Sequence, residues 1–154
     1  GDTTIFIRRN KKCAMKVMGL NGREYNIDLK KYIIKNDDKT VKSKYHIAAR
    51  KLLAEMFKGY SILEEVKLPG SRCPSKKSAL FLDFFIPTLS LGVEVHGQQH
   101  YEFVQFFHKT KAGFLTSRRR DFIKEDWCEL NSIELVVLKY SDSLEDWRNQ
   151  IDSR

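Results

Sequence analysis

Hydrophobic residues recur along this chain at two kinds of spacing, and each kind predicts a type of secondary structure. From residue 43 to about residue 58 they return every three to four positions, which predicts an amphipathic helix with Ser43 as its N-cap. Residues 117–130 predict a second helix, closed by Asn131 and Ser132, and SLEDWRNQI predicts a last one. The alternation of apolar and polar residues in SILEEVKL predicts a strand, and the apolar runs ALFLDFFI, LGVEV and IELVVLKY predict three buried strands.

The order of these elements predicts an α/β (α+β) fold. Residues 41–154 contain a helix, a strand, a hairpin of two buried strands, a helix, a strand and a helix, which indicates a mixed β-sheet flanked by helices. Residues 1–40 instead alternate short β-like runs with turns, among them the hairpin signal Asn21-Gly22. We interpret residues 1–40 as a small β-rich subdomain that packs on the core, with a contact to DNA as the alternative. The polar stretch 36–44 is predicted to be a linker.

Two carboxylates lie inside the apolar strands of the predicted hairpin. Asp83 interrupts ALFLDFFI, and Glu94 lies between two valines in LGVEV. A buried carboxylate is unfavourable unless a cation or hydrogen-bond donors compensate it, so pairing with core Arg or Lys residues is the plainer explanation. Because the hairpin would bring both acids side by side, with His96 on the same face as Glu94, we favour a divalent-metal site. A neutral histidine at such a site can accept a proton from water near pH 7, which is chemistry suited to phosphodiester hydrolysis.

The charge of the chain is consistent with a polyanionic partner. Its 28 Lys and Arg residues outnumber 20 acidic residues, which gives a net charge of +8 and a pI of about 9.4. The candidate phosphate contacts are two clusters of basic residues: Arg118, Arg119, Arg120 and Lys124 in the second helix, and Lys76 and Lys77 in the loop 70–78. A solvated helix face, an ion pair between Lys124 and Asp121, and a loop kept soluble are the alternatives.

The cysteines and the lengths of the apolar runs bear on the cellular compartment of the protein. The three cysteines, Cys13, Cys73 and Cys128, are widely spaced, which indicates neither a zinc finger nor a disulfide scaffold and suggests a reducing cytoplasm. No apolar run is long enough to cross a bilayer, and the first residues have no signal-peptide pattern. We therefore expect a cytoplasmic protein with no membrane partner, in the host cell if a phage encodes it.

The spacing of the acids resembles a known nuclease motif. Asp83, ten intervening residues and then Glu94-Val95-His96 are similar to the catalytic hairpin of the PD-(D/E)xK nucleases, with His96 where most members have Lys. More closely, the chain resembles the very-short-patch-repair endonucleases and the related phage homing endonucleases, which carry an E, D, x-H, D arrangement. The similarity covers residues 43–140, from SKYHIAARKLL through LPG, LFLDFFIP, VEVHGQQHY and RRRDFIKEDW to ELVVLKY.

The resemblance implies a restriction-endonuclease-like fold and a function. The function is a Mg²⁺-dependent endonuclease that hydrolyses phosphodiester bonds in double-stranded DNA, as the catalytic domain of a phage homing or repair-type enzyme. Another divalent cation such as Mn²⁺ is the alternative cofactor. The resemblance leaves the oligomeric state open, with a homodimer as one option.

The resemblance also implies roles for individual residues. Asp83 and the main-chain carbonyl of Val95 match the metal ligands, and His96 matches a histidine that assists proton transfer or holds a phosphate. Asp121 matches the last acid, which orients a histidine or water. His100 lies one residue before Tyr101, near where the repair enzymes have a second catalytic histidine.

The chain departs from the family pattern at two places. The first acid of the family should come from the opening helix, where this chain has His46. Either His46 replaces that acid, or the residue was altered, or Glu94 takes over a metal-binding role. The zinc-binding cysteines of the repair enzymes are missing, with Gln98 where one would be, so no structural zinc is expected.

Two other functions remain open at this point. His46 is compatible with a catalytically impaired DNA-binding module of the same fold. A protein-interaction domain whose buried acids are structural would instead show no salt-dependent affinity for DNA.

Overall fold

The structure is a computed structural model that describes residues 4–7, 13–33, 42–72 and 79–154. Lys76 and Lys77, the predicted phosphate contacts of the 70–78 loop, lie outside these residues, as does most of the predicted linker. In chain order the strands and helices are β1 (Thr4–Ile7), β2 (Cys13–Met18), β3 (Glu24–Asp28), α1 (Lys44–Met56), β4 (Leu63–Leu68), β5 (Leu80–Ile86), β6 (Leu91–His96), α2 (Gln105–His108), α3 (Lys111–Leu130), β7 (Glu134–Lys139) and α4 (Leu144–Asp152).

The larger sheet confirms the predicted mixed α+β architecture. Its strand order is β4-β5-β6-β7, in which the first two pairings are antiparallel and β6 pairs with β7 in parallel. Ser43 caps α1 as predicted, because its side chain accepts the N–H of His46. The second predicted helix begins six residues earlier than residue 117, at Lys111, where the side chain of Thr110 accepts the N–H of Gly113.

The smaller sheet is an antiparallel meander of β1, β2 and β3. The predicted Asn21-Gly22 turn joins β2 to β3, and Gly22 has the positive φ of 82° that such turns require. This sheet is tied directly to the larger one. Leu20 donates its N–H to the carbonyl of Gly70 at 3.0 Å, and a Cβ placed on Gly70 would lie 2.5 Å from the Cα of Gly19.

Two hydrophobic cores cover the larger sheet. Adjacent residues of β5 contribute to different cores, Phe84 to one and Phe85 to the other, so the cores lie on opposite faces. The core around Phe85 combines β2 and β3 with β4 and with Trp127 of α3, whereas the core around Phe84 combines α1 and α4 with β6 and β7. Trp127 is fully buried and donates its indole N–H to the carbonyl of Pro69, which fixes α3 against the sheet.

Among the described residues, no helix is both long and apolar enough to cross a membrane.

Candidate active site

Strands β5 and β6 separate at the position of the two predicted acids. Their pairing runs from Ile86 opposite Leu91 to Phe84 opposite Val93, and Asp83 and Glu94 are the next residues on each strand. The N–H of Val95 donates to Oδ2 of Asp83 at 2.8 Å. The fork between the strands therefore holds the Asp83 carboxylate through a backbone donor and brings it next to Glu94.

The pKa values of the two carboxylates are shifted in opposite directions. Glu94 is 2% exposed, and its burial, together with the charge of Asp83, raises its pKa well above the ordinary value. Burial also acts to raise the pKa of Asp83, but hydrogen bonds from Glu94 and Val95 and the charge of Lys124 outweigh it, so the pKa of Asp83 is lowered. Asp83 thus has the lower pKa of the pair. Nζ of Lys124, from α3, lies 2.6 Å from Oε1 of Glu94.

Two stacked histidines and an aspartate lie across from Asp83. The rings of His96 and His100 are 3.9 Å apart and inclined by 9°. Asp121 of α3 faces both, with Oδ2 at 2.9 Å from Nδ1 of His100 and Oδ1 at 4.0 Å from Nε2 of His96. Burial and the neighbouring His100 lower the pKa of His96 to about 4, so this imidazole is neutral at pH 7.

His46 is buried on α1 and belongs to the same site. Its ring stacks on Phe84 at 4.5 Å, and its Nε2 is bonded to Oε1 of Glu64. Arg50 binds Glu64 with two donors, Nε at 3.1 Å from Oε2 and Nη2 at 2.7 Å from Oε1. His46 therefore occupies the position predicted for the missing acid, and Glu64, itself bound by Arg50, orients its imidazole.

Glu65 is a site residue that sequence reasoning missed. It stands opposite Asp83 in the β4–β5 register, and ligand atoms of His46, Glu65 and Asp83 all lie within 4.8 Å of one another. Glu65 has a φ of 53°, an unfavourable value for a residue with a side chain, and Lys42 binds its carboxylate at 2.9 Å. The tandem acids in SILEEVKL were the available signal, but only the strand register shows which of them meets Asp83.

Several of these groups line one open cleft of about 500 Å³, behind which His46, Glu94 and His96 are buried. Asp83 and Glu65 lie on the strand side, and His100, Asp121, Arg120 and Lys124 lie around them. A second set of ligand atoms within 4.8 Å of one another belongs to His96, His100 and Asp121. The cleft thus combines acids, imidazoles and cations that the sequence places as much as 59 residues apart, from Glu65 to Lys124.

The other predicted site residues take different positions. Arg118 and Arg119 are exposed on α3, and Arg118 lies over the ring of Phe114 at 5.8 Å. Lys124 lines the cleft but forms an ion pair with the buried Glu94, so its charge already has a partner within the protein. Val95 contributes its N–H to Asp83, next to the carbonyl that the resemblance implies as a metal ligand.

Comparison with known proteins finds relatives in iridescent viruses and a frog virus. Over 113 residues, 70% of its length, the chain is 33% identical to uncharacterized protein 033L of invertebrate iridescent virus 3 and covers 55% of that protein. It is 40% identical over 62 residues, 40% of its length, to uncharacterized protein 307L of invertebrate iridescent virus 6, of which it covers 32%. It is 32% identical over 79 residues, 51% of its length, to uncharacterized protein 094L of Frog virus 3 (isolate Goorha), of which it covers 51%.

The chain thus spans about half or less of the length of these curated relatives. No family model matches it, and no solved structure matches it.

Proposed function

We propose that the chain is the catalytic domain of a metal-dependent endonuclease that hydrolyses phosphodiester bonds in double-stranded DNA. The observation that carries the proposal is that one cleft is lined both by Asp83 and Glu65, whose ligand atoms lie within 4.8 Å of that of His46, and by the His100–Asp121 pair. The first group is suited to a divalent cation, and an imidazole oriented by a carboxylate is suited to proton transfer.

The donors of the first cluster fit a divalent cation. Two carboxylates suit Mg²⁺ or Mn²⁺, and because an imidazole is a softer ligand than Mg²⁺ usually takes, Mn²⁺ fits at least as well. Glu64 is bonded to one ring nitrogen of His46, as carboxylates often are to metal-binding histidines. A cation held by Asp83, Glu65 and His46 would supply Lewis-acid charge to the scissile phosphate.

The remaining groups of the chain have separate tasks in this proposal. The Val95 N–H and Glu94 hold the Asp83 carboxylate ionised and in place. His100, which lines the cleft and is bonded to Asp121, accepts the proton of the attacking water, and His96 supports it from the stacked position as a neutral ring. Arg120, at the cleft wall, binds a phosphate oxygen.

Cleavage of supercoiled plasmid tests the proposal. We expect nicking that requires Mn²⁺ or Mg²⁺ and stops on addition of EDTA, and we expect Asp83→Asn to lower its rate by at least about 100-fold. The amide keeps an oxygen for the Val95 N–H, so the fold is retained. Glu55→Gln is the matched control, because Glu55 is an exposed acid of α1 paired with Arg148. Wild-type rates for Asp83→Asn, or no cleavage by the unaltered chain with any divalent metal, contradict the proposal.

A variant of Glu65 separates function from folding at the same site. Glycine tolerates the φ of 53° at this position, so Glu65→Gly should unfold at the same or a higher denaturant concentration. The same variant loses a carboxylate from the cluster. We therefore expect weaker Mn²⁺ binding by isothermal titration and slower nicking from a protein that is at least as stable.

A catalytically impaired DNA-binding module is the second candidate. It is favoured by one observation, that Nε2 of His46 is already bonded to Glu64. This candidate predicts salt-dependent DNA binding without cleavage. The double variant His46→Glu, Glu64→Gln supplies the family's acid while keeping the number of buried carboxylates constant, and a large gain in nicking would identify an impaired nuclease.

A further inference from the structure

A second groove lies next to the cleft, between the smaller sheet and strand β4. Its volume is about 1040 Å³. Four basic side chains and two tyrosines contribute to its lining: Arg23, Lys31, Lys67, Arg72, Tyr25 and Tyr32. Basic side chains interleaved with aromatic rings are the chemistry that binds the backbone and bases of nucleic acids.

The groove is continuous with the cleft. Ala79 lines both, and Lys67 lies opposite Phe81, a residue of the cleft wall, in the β4–β5 register. Lys67 follows Glu65 by two residues on β4, which corresponds to about 7 Å of strand. The groove and the cleft therefore adjoin along β4 and β5, which would allow one polyanion to extend from the groove to the site around Asp83.

The positive charge in the groove is not neutralised within the described part of the chain. None of the ion pairs between described residues involves Arg23, Lys31, Lys67 or Arg72. The acid in the lining is Asp28, and its Oδ1 accepts the N–H of Lys30. Among the described residues, these four cations therefore have no ion-pair partner and are available to bind the phosphates of a polyanion.

The wall of the groove is held at a fixed position. Oδ1 of Asn131, at the end of α3, accepts the N–H of Met18 at 2.7 Å, and its amide donates to the Met18 carbonyl at 2.9 Å. Asn21 donates to the hydroxyl of Tyr25 at 2.8 Å, which orients that ring in the groove. The smaller sheet thus presents its basic residues to the groove from a rigid surface.

We propose that this groove is a DNA-binding subsite, in which the smaller sheet binds the phosphate backbone of the strand that leads into the cleft. The inference rests on the proposed function for what happens in the cleft, but binding in the groove is measurable without cleavage. The contacts are to phosphate, so affinity depends on salt and little on sequence.

Fluorescence anisotropy with a labelled DNA duplex tests this proposal, using the full chain with Asp83→Asn and EDTA so that no cut occurs. The variant pair is Lys67→Ala with Arg72→Ala, both exposed, and the matched control is Lys51→Ala with Lys58→Ala, two exposed lysines of α1 and of the turn that follows it. We expect the slope of log K against log salt to become shallower by about 1.8 for the groove variant, since two phosphate contacts are lost, and to stay unchanged for the control.

The outcomes separate the two proposals. Equal losses by the groove variant and the control, or an unchanged slope for the groove variant, overturn the groove. A shallower slope confined to the groove variant supports it, and it stands even if the unaltered chain cuts no plasmid, a result that removes the nuclease proposal alone.

Discussion

His96 shows how one residue acquires the protonation state that a site requires. It is 7% exposed and stacked on His100, so both the loss of water and the neighbouring imidazole disfavour its charged form. Asp121 acts in the opposite direction, as does Asp83, while Lys124 disfavours the charge further. Burial prevails, and the ring is neutral over the pH range in which it would assist catalysis.

We predict that His96 titrates near pH 4 in the folded chain. In the unfolded state His96 is protonated below about pH 6.5, whereas in the folded state it is protonated only below about pH 4. The unfolded chain thus binds more protons between these values, and the free energy of unfolding falls as the pH falls through this window, by at most about 1.4 kcal/mol per pH unit. Nitrogen-detected NMR measures the midpoint directly.

The matched comparison for this prediction is His96→Gln. Its free energy of unfolding should lose that part of the pH dependence between pH 4 and 6.5. A midpoint of His96 at 6 or above would contradict the prediction. Asp121→Asn should move the midpoint lower still, because the charge of Asp121 raises the pKa of His96.

At the scale of elements, helix α3 joins the two sheets and carries the site. Asp121 and Lys124 lie in its middle, Trp127 anchors it to the core, and Asn131 at its end binds β2. Because Asn131 is buried and contacts both the N–H and the carbonyl of Met18, it replaces the hydrogen bonds that these groups would make to water.

We predict that Asn131→Ala lowers the free energy of unfolding by about 2 kcal/mol, because the N–H and carbonyl of the half-buried Met18 lose their partner. Hydrogen exchange should show faster exchange at β2 than at β6. Asn149→Ala, on the exposed side of α4, is the control and should change stability by less than about 0.5 kcal/mol. Equal effects of the two variants would contradict this role for Asn131.

The elements of the larger sheet were predictable because their signals are local. The caps Ser43 and Asn131 and the apolar runs around Asp83 and Glu94 lie within short stretches of sequence. Positions that depend on register were not predictable: Glu65 meets Asp83 only because β4 pairs with β5 at one offset. The early start of α3 was missed because Gly113 and Thr116 obscure the helical spacing in its first turns.

The partners of the site residues were also not predictable from the local sequence. The sequence left open whether Lys124 pairs with Asp121 or faces the site; the structure places it in the wall of the cleft, with its Nζ against Glu94, a partner that the sequence did not indicate. Likewise His46 was expected on the site helix, but its orientation depends on Glu64 of β4, which Arg50 of the same helix also binds.

At the scale of the whole molecule, the smaller sheet is part of the core that supports the site. Met15 and Val17 of β2 and Ile27 of β3 pack with residues of β4 and with Trp127 in one cluster. Removing the smaller sheet would expose an apolar face on β4, including Val66.

We predict that a chain beginning at residue 42 does not form the native core. It should bind the dye ANS and lose near-UV circular dichroism, because the apolar face of β4 is uncovered. The full-length chain with Lys16→Ala is the control, since Lys16 is an exposed residue of β2. Cooperative unfolding of the shortened chain at the same urea concentration as the full chain would instead identify residues 1–40 as a separate domain.

The close contact of Gly19 with Gly70 has a consequence for how the chain would cut DNA. Since a Cβ at Gly70 would lie 2.5 Å from the Cα of Gly19, the turn of the smaller sheet and the end of β4 meet with no space for a side chain between them. In the proposed nuclease, this contact would set the distance between the basic residues of the smaller sheet, such as Arg23, and Asp83, and with it the number of nucleotides between a bound phosphate and the cut. Duplex DNA would then be cut at one spacing from the phosphate bound by the smaller sheet, and an alanine at Gly19 or Gly70, which forces the two backbones apart, would spread the cuts over several positions.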